Sequence, residues 1–145
     1  MPGRLPDPCP CGRRDRRGAP LVYADCCGRY LDDFERTPAP DAESLMRSRY
    51  TAFVRERSGY LLGTWHPSTR PSHLDFEPGV RWLGLEVRAH RAEDADHAEV
   101  EFIARHRDRS GAATRLHERS RFVREPDGPG EGGIVRWYYL DGDQR

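Results

Sequence analysis

The sequence predicts an α+β chain: a small cysteine-rich unit first, then helices laid on one face of an antiparallel sheet. Three observations predict it. All four cysteines fall between positions 9 and 27, in a Pro- and Gly-rich stretch with little apolar periodicity. From Asp41 apolar residues recur at helical spacing, and after Pro78-Gly79 the period becomes two. The composition can also fill one core. Of 145 residues 36% are hydrophobic, with three Trp, six Tyr and five Phe, although the mean hydropathy is −0.89. The expected division is 1–36 for the cysteine unit with its linker and 37–145 for the α+β domain.

The elements follow in order. Thr37-Pro38-Ala39-Pro40 is the stiff end of the linker. Asp41 suits an N-cap, and Ala42 and Glu43 suit a first turn. Met46, Tyr50, Phe53 and Val54 then mark one apolar helix face, with Ser58-Gly59 as the expected stop. Tyr60 to Trp65 reads as a second short helix, ended by Pro67. Leu83, Leu85 and Val87 predict the inner face of a first strand, and Val100, Phe102 and Ala104 that of a second. Thr114 to Arg124 and Ile134 to Leu140 complete a four-stranded meander, divided by Arg109-Ser110-Gly111 and by Pro126 to Gly133. Helices followed by such a meander imply helices packed on one sheet face.

Charge and residue usage exclude several classes. Basic and acidic residues number 24 each, which argues against a surface built for polyanions. Every basic residue is arginine, so lysine Schiff-base chemistry and the lysine-dependent phosphate-binding loop are excluded. Asparagine is absent, which excludes N-glycosylation. No apolar run is long enough to span a membrane, and no leader-like segment opens the chain, so the expected location is cytoplasmic. Gly128 to Gly133 fits G-x-G-x-x-G in form. A β-branched and aromatic run follows it where a nucleotide site needs a helix, so it reads as a hairpin loop.

Cys9-Pro10-Cys11-Gly12 and Cys26-Cys27-Gly28 are the most informative strings. In a reducing compartment, clustered cysteines read as metal ligands before disulfides. Adjacent Cα atoms lie about 3.8 Å apart, below the usual disulfide range, so a Cys26–Cys27 bridge is strained. Four thiolates around one zinc need no such strain and make a closed, structural site. The expected ligands are Cys9, Cys11, Cys26 and Cys27. A metal staple compensates for a unit too small to bury a core. The alternative is a redox sensor in which oxidation ejects the metal; Arg13, Arg14, Arg16 and Arg17 would lower nearby thiol pKa values in either case.

With Tyr23-Ala24-Asp25 ahead of Cys26, these strings resemble the SEC-C motif, a zinc knuckle known from the SecA translocase tail, where it binds the SecB chaperone. Downstream, Leu45 to Phe53, Trp65 to Arg70, Trp82 to Leu85, Leu116 to Arg124 and Trp137-Tyr138-Tyr139 before Asp141-Gly142-Asp143 resemble the YchJ family. The resemblance covers nearly the whole chain. It implies a SEC-C knuckle joined to a nuclear transport factor 2-like domain, a cone-shaped curved sheet backed by helices. It also implies a protein partner at the knuckle, in the export or ribosome-associated machinery, and open sheets of this fold often form homodimers face to face. This chain departs from the motif in a longer loop between Cys11 and Cys26, where Gly12-Arg13-Arg14-Asp15-Arg16-Arg17 replaces the usual Gly-Ser-Gly.

Two further clusters carry chemistry-bearing side chains. The arginines at 13–17 suit phosphates, but interleaved Asp15 and Asp25 and the missing aromatics favour a solvated loop over nucleic acid. His66, Arg70, Trp82, His117, Glu118 and Arg119 are the candidates for a cone pocket, with His66 or His117 as acid or base and Arg70 or Arg119 as an anion clamp. On one strand, His117, Arg119 and Arg121 share a face and Glu118 takes the other. His90, His97 and His106 are expected at the surface. The leading expectation is a zinc-binding protein whose knuckle is a structural or docking element and whose cone binds a partner or small ligand. The competing one is a small hydrolase, dehydratase or isomerase. A deep, partly apolar pocket with converging titratable groups favours the enzyme, and a filled cone with an exposed apolar patch favours the binding module.

Overall fold

A computed structural model describes residues 7–128 and 133–145. Most of the glycine-rich loop read as a hairpin, and residues 1–6 at the start of the chain, lie outside the described residues. The elements run α1 (Gly28–Leu31), α2 (Ala42–Val54), α3 (Ser58–Gly63), β1 (Arg81–Ala92), β2 (His97–Arg107), β3 (Ala113–Pro126) and β4 (Val135–Gln144), with a 3-10 turn at Tyr23–Asp25 ahead of α1. The four strands form one antiparallel meander in the order β1-β2-β3-β4. Among the described residues no helix is long and apolar enough to cross a membrane.

Helix α2 starts where the sequence predicts, with the Ser44 N–H donating to the Asp41 carboxylate at 2.7 Å. It stops earlier than Ser58-Gly59. Arg57 N donates to Ala52 O at 2.8 Å and Glu56 N to Phe53 O at 3.3 Å, a Schellman pair. The left-handed residue that this pair requires is Glu56, at φ 55°. Ser58 and Gly59 instead open α3. Sequence reading missed this stop because a glutamate occupies the place where glycine is the usual signal.

Burial on α2 extends well beyond one stripe, because the helix is covered on three sides. Met46, Arg49, Tyr50 and Phe53 face the sheet across a cavity. Ser48 faces α3, its hydroxyl 2.7 Å from Tyr60 Oη. Ser44, Arg47 and Thr51 face the cysteine unit. Small hydroxyl side chains on two of these faces let the neighbouring backbone approach closely, and each is hydrogen-bonded as burial demands.

On β1 a bulge between Trp82 and Gly84 shifts the register against β2. Trp82, Leu85 and Val87 consequently pack on the core, while Leu83, expected inside, is 47% exposed. One buried cluster runs from the four cysteines through Leu45, Tyr50 and Leu61 to Val100, Phe102 and Phe122. The chain between the cysteine unit and α2 is tied to the sheet by Arg136 of β4. Its guanidinium donates to Phe34 O at 2.6 Å and Glu35 O at 2.9 Å, pairs with Asp127 at 2.6 Å and stacks on the Phe34 ring.

Candidate metal centre and cone cavity

The cysteine unit is a short two-stranded turn closed by a helical start. Cys9 N donates to Leu21 O and Leu21 N to Arg13 O, which draws the first cysteine pair against residues 20–22. The 3-10 turn and α1 then place Cys26 and Cys27 opposite that pair. The four Sγ atoms all lie within 4.8 Å of one another, and all four residues are buried. Cys11 Sγ and Cys26 Sγ are 3.6 Å apart, far beyond a disulfide bond. A tetrahedral four-thiolate zinc site has Zn–S bonds of about 2.3 Å and hence sulfur separations near 3.8 Å, so this donor set fits zinc.

Four thiols this close perturb one another. Hydrogen bonds from neighbouring thiols pull Cys9 far below the ordinary thiol range. The same effect, led by Cys26, lowers Cys11 to about 7. Cys26 and Cys27 are pushed up, chiefly by their hydrogen bonds with Cys11. A bound dication would favour the thiolate form of all four.

Around the cluster stand cations and backbone. Arg47 donates to Cys11 O at 3.0 Å, Arg29 to Cys26 O at 3.0 Å, and Thr51 Oγ1 lies 3.7 Å from Cys9 Sγ. Glu43 is the electrostatic joint between layers. It pairs with Arg47 at 2.8 Å, with Arg13 of the cysteine unit at 3.7 Å and with His90 of β1 at 3.8 Å. Four thiolates around one zinc would carry a net negative charge, which Arg47 and Arg29 stand close enough to offset.

The second feature is a cavity of about 280 Å³ between α2 and the concave sheet face. Its walls are mostly apolar, with Phe53, Trp82, Phe102 and Leu116 among them. Among the described residues two charged side chains reach it, Arg49 and Glu118. The Glu118 carboxylate accepts from Ser120 Oγ at 2.8 Å, Tyr139 Oη at 3.1 Å and Gln144 Nε2 at 3.1 Å. Arg49 is 6% exposed. Its Nη1 donates to Leu61 O at 2.8 Å and Thr64 Oγ1 at 2.7 Å, and its guanidinium stacks on Trp65 and Tyr139 at 5.0 and 4.7 Å. Burial lowers its pKa to about 10, so it remains a cation at neutral pH.

Of the six pocket candidates, the structure brings Trp82 and Glu118 to this cavity. His117 and Arg119 lie on the opposite face of β3, where they pair with Glu101 at 2.7 Å and Glu99 at 3.9 Å across to β2. His66 sits beside β4, bonded through Nε2 to Glu125 and through Nδ1 to Ser68, both at 2.7 Å. Arg70 is exposed and donates to Trp65 O. The two histidines therefore do not converge with Trp82, and among the described residues no histidine lines the cavity. His106, expected at the surface, is half-buried with its ring 5.0 Å from Trp82.

Sequence reading missed Arg49. The available signal was its place on the apolar stripe: Met46, Arg49, Tyr50 and Phe53 stand at i, i+3, i+4 and i+7. A charged residue inside such a stripe must be buried or must interrupt it.

Comparison with known proteins places this architecture. A family model described as "YchJ, middle NTF2-like domain" matches residues 41–142. A UPF0225 protein of Polaromonas sp. is 66% identical over 137 residues, covering 94% of this chain and 93% of its own. A UPF0225 protein of Bordetella parapertussis is 52% identical over 145 residues, with 99% and 98% covered. Among solved structures, a SEC-C motif containing protein from Psychrobacter arcticus superposes with a TM-score of 0.76 at 34% identity, over 92% of this chain and 80% of that one. A SEC-C motif containing protein from Rhodopseudomonas palustris gives 0.71 at 32%, over 94% and 97%. The chain with the buried four-cysteine cluster and the helix-backed cone belongs to the YchJ (UPF0225) family, with an NTF2-like domain over residues 41–142.

Proposed function

We propose that this protein is a zinc-stapled small-molecule binding protein. Cys9, Cys11, Cys26 and Cys27 would hold the metal, which supplies a structural cross-link. The cone cavity is the ligand site. The observation that carries this reading is the cavity itself: about 280 Å³ of mostly apolar space reached by a buried cation and a hydrogen-bonded carboxylate. Large apolar side chains at the surface are few among the described residues, with Leu83 on β1 and Ile134 and Val135 near the start of β4. A filled cone with a broad exposed apolar patch would have favoured a protein partner instead.

Ligand-observed NMR on the metal-loaded protein, with a panel of small aromatic and aliphatic compounds, tests the reading. Binders are expected, and Ala104→Leu, which fills the cavity from β2, should weaken them about tenfold or more. Equal binding by the filled variant would place the site elsewhere.

A second reading, docking by the knuckle, is supported by a separate observation. Arg14, Arg16 and Arg17 are exposed and make no salt bridge among the described residues. Such a set suits an acidic protein segment. Affinity capture from native lysate with wild type and with Arg16→Glu/Arg17→Glu tests it. A partner held by both proteins would exclude the arginines.

A further inference from the structure

We propose that the cavity ligand is a small aromatic monocarboxylate whose head group is held by Arg49. The proposal rests on the cavity reading above and names the chemistry of its occupant. Arg49 has five N–H donors in a planar fork. The two on Nη1 are taken by Leu61 O and Thr64 Oγ1. Among the described residues Nε and Nη2 make no hydrogen bond, and no carboxylate lies within salt-bridge distance of the guanidinium. Beside it, the Trp65 indole Nε1 is buried without an acceptor. This end of the site therefore offers donors and lacks an acceptor.

The other charged group does not make up the deficit. Glu118 already accepts three hydrogen bonds from Ser120, Tyr139 and Gln144, so it has little demand for a ligand cation. Nε and Nη2 of Arg49 are not among the sealed, unpartnered polar atoms, so they remain open to the cavity, where an oxyanion can take both bidentately. Guanidinium and carboxylate match in plane and spacing.

Size and wall chemistry define the remainder of the molecule. A dry cavity of about 150 Å³ accommodates benzene, so about 280 Å³ leaves room for a ring with a short carboxylate arm. Tyr50, Phe53 and Trp82 meet edge to face or tilted at 5.5–5.9 Å and present aromatic surface to a planar guest.

The test is calorimetric titration of the full, zinc-loaded chain with phenylacetate, phenylacetamide and toluene, repeated on Ala104→Leu. The proposal expects phenylacetate to bind at least about tenfold tighter than the isosteric amide and to be weakened in the filled variant. Carboxylate and amide binding alike, both weakened by Ala104→Leu, would overturn the anion claim and leave the cavity reading standing. Binding that Ala104→Leu leaves unchanged, or no binding of any of the three, would overturn both. Arg49→Lys serves as a second variant that keeps the charge and loses the fork. It should abolish most of the preference for carboxylate over amide. Because the wild-type comparison needs no substitution at Arg49, the proposal can fail even if that variant does not fold.

Discussion

Cys27 shows how much one side chain carries in this fold. It is 1% exposed, next to Gly28 at the start of α1, and its sulfur closes the four-cysteine cluster. Cys27→Ser is expected to lower bound zinc from about one per chain to a small fraction, as read by elemental analysis. The lost cross-link should cost about 3 kcal/mol or more, which is roughly 10 °C in Tm for a chain of this size. A variant that kept both its metal and its Tm would remove Cys27 from the ligand set. A surface pair shows the opposite limit. Arg121 donates to both Asp141 and Asp143, and its hydrogen bonds and charge hold the Asp143 carboxyl below its ordinary value. A depressed carboxyl favours folding above its unfolded pKa, and that contribution is lost as pH falls through the lower, folded value. In Arg121→Gln, an NMR titration should find the Asp143 pKa moved up toward the ordinary carboxylate range, with little change in stability because the pair lies at the surface.

At the scale of elements, α2 holds the molecule together, and its ends differ in quality. The Asp41 cap is well made, whereas the left-handed Glu56 bears a side chain where glycine costs least. Glu56→Gly should therefore raise stability by about 1 kcal/mol in urea titration; a loss of similar size would mean that the Glu56 side chain is needed. Gly28 is the contrary case. A Cβ there would stand 2.7 Å from the Tyr23 carbonyl oxygen and from its ring. Backbone must move to admit it, so Gly28→Ala should disturb the turn that presents Cys26 and Cys27 and weaken zinc binding. Normal zinc uptake in that variant would contradict the close packing of turn and helix. These elements differ in how plainly the sequence announces them. The N-cap, the strand periods and the cysteine spacing depend on near neighbours in the chain and are legible directly. The α2 stop was masked by a glutamate in a glycine's place. The Trp82–Gly84 bulge exchanged the inward residue because register is set by the partner strand. Strand periodicity puts His117 and Arg119 on one face together, as the structure does, but which face is inside depends on where α2 lies, and periodicity alone leaves that open.

At the scale of the molecule, one helix reaches both the cysteine unit and the cone cavity. Residues 44, 47 and 51 of α2 contact the cysteine unit, while residues 46, 49, 50 and 53 of the same helix line the cavity. A metal held by the four cysteines at one face would therefore bear on the geometry of the other. Hydrogen exchange of the zinc-loaded protein, before and after treatment with a strong chelator, tests that claim most directly. The account predicts that amides of 45–54 in α2 lose protection together with those of the cysteine unit, because both belong to one buried cluster. Loss of protection confined to residues 7–31, with α2 protected as before, would contradict it.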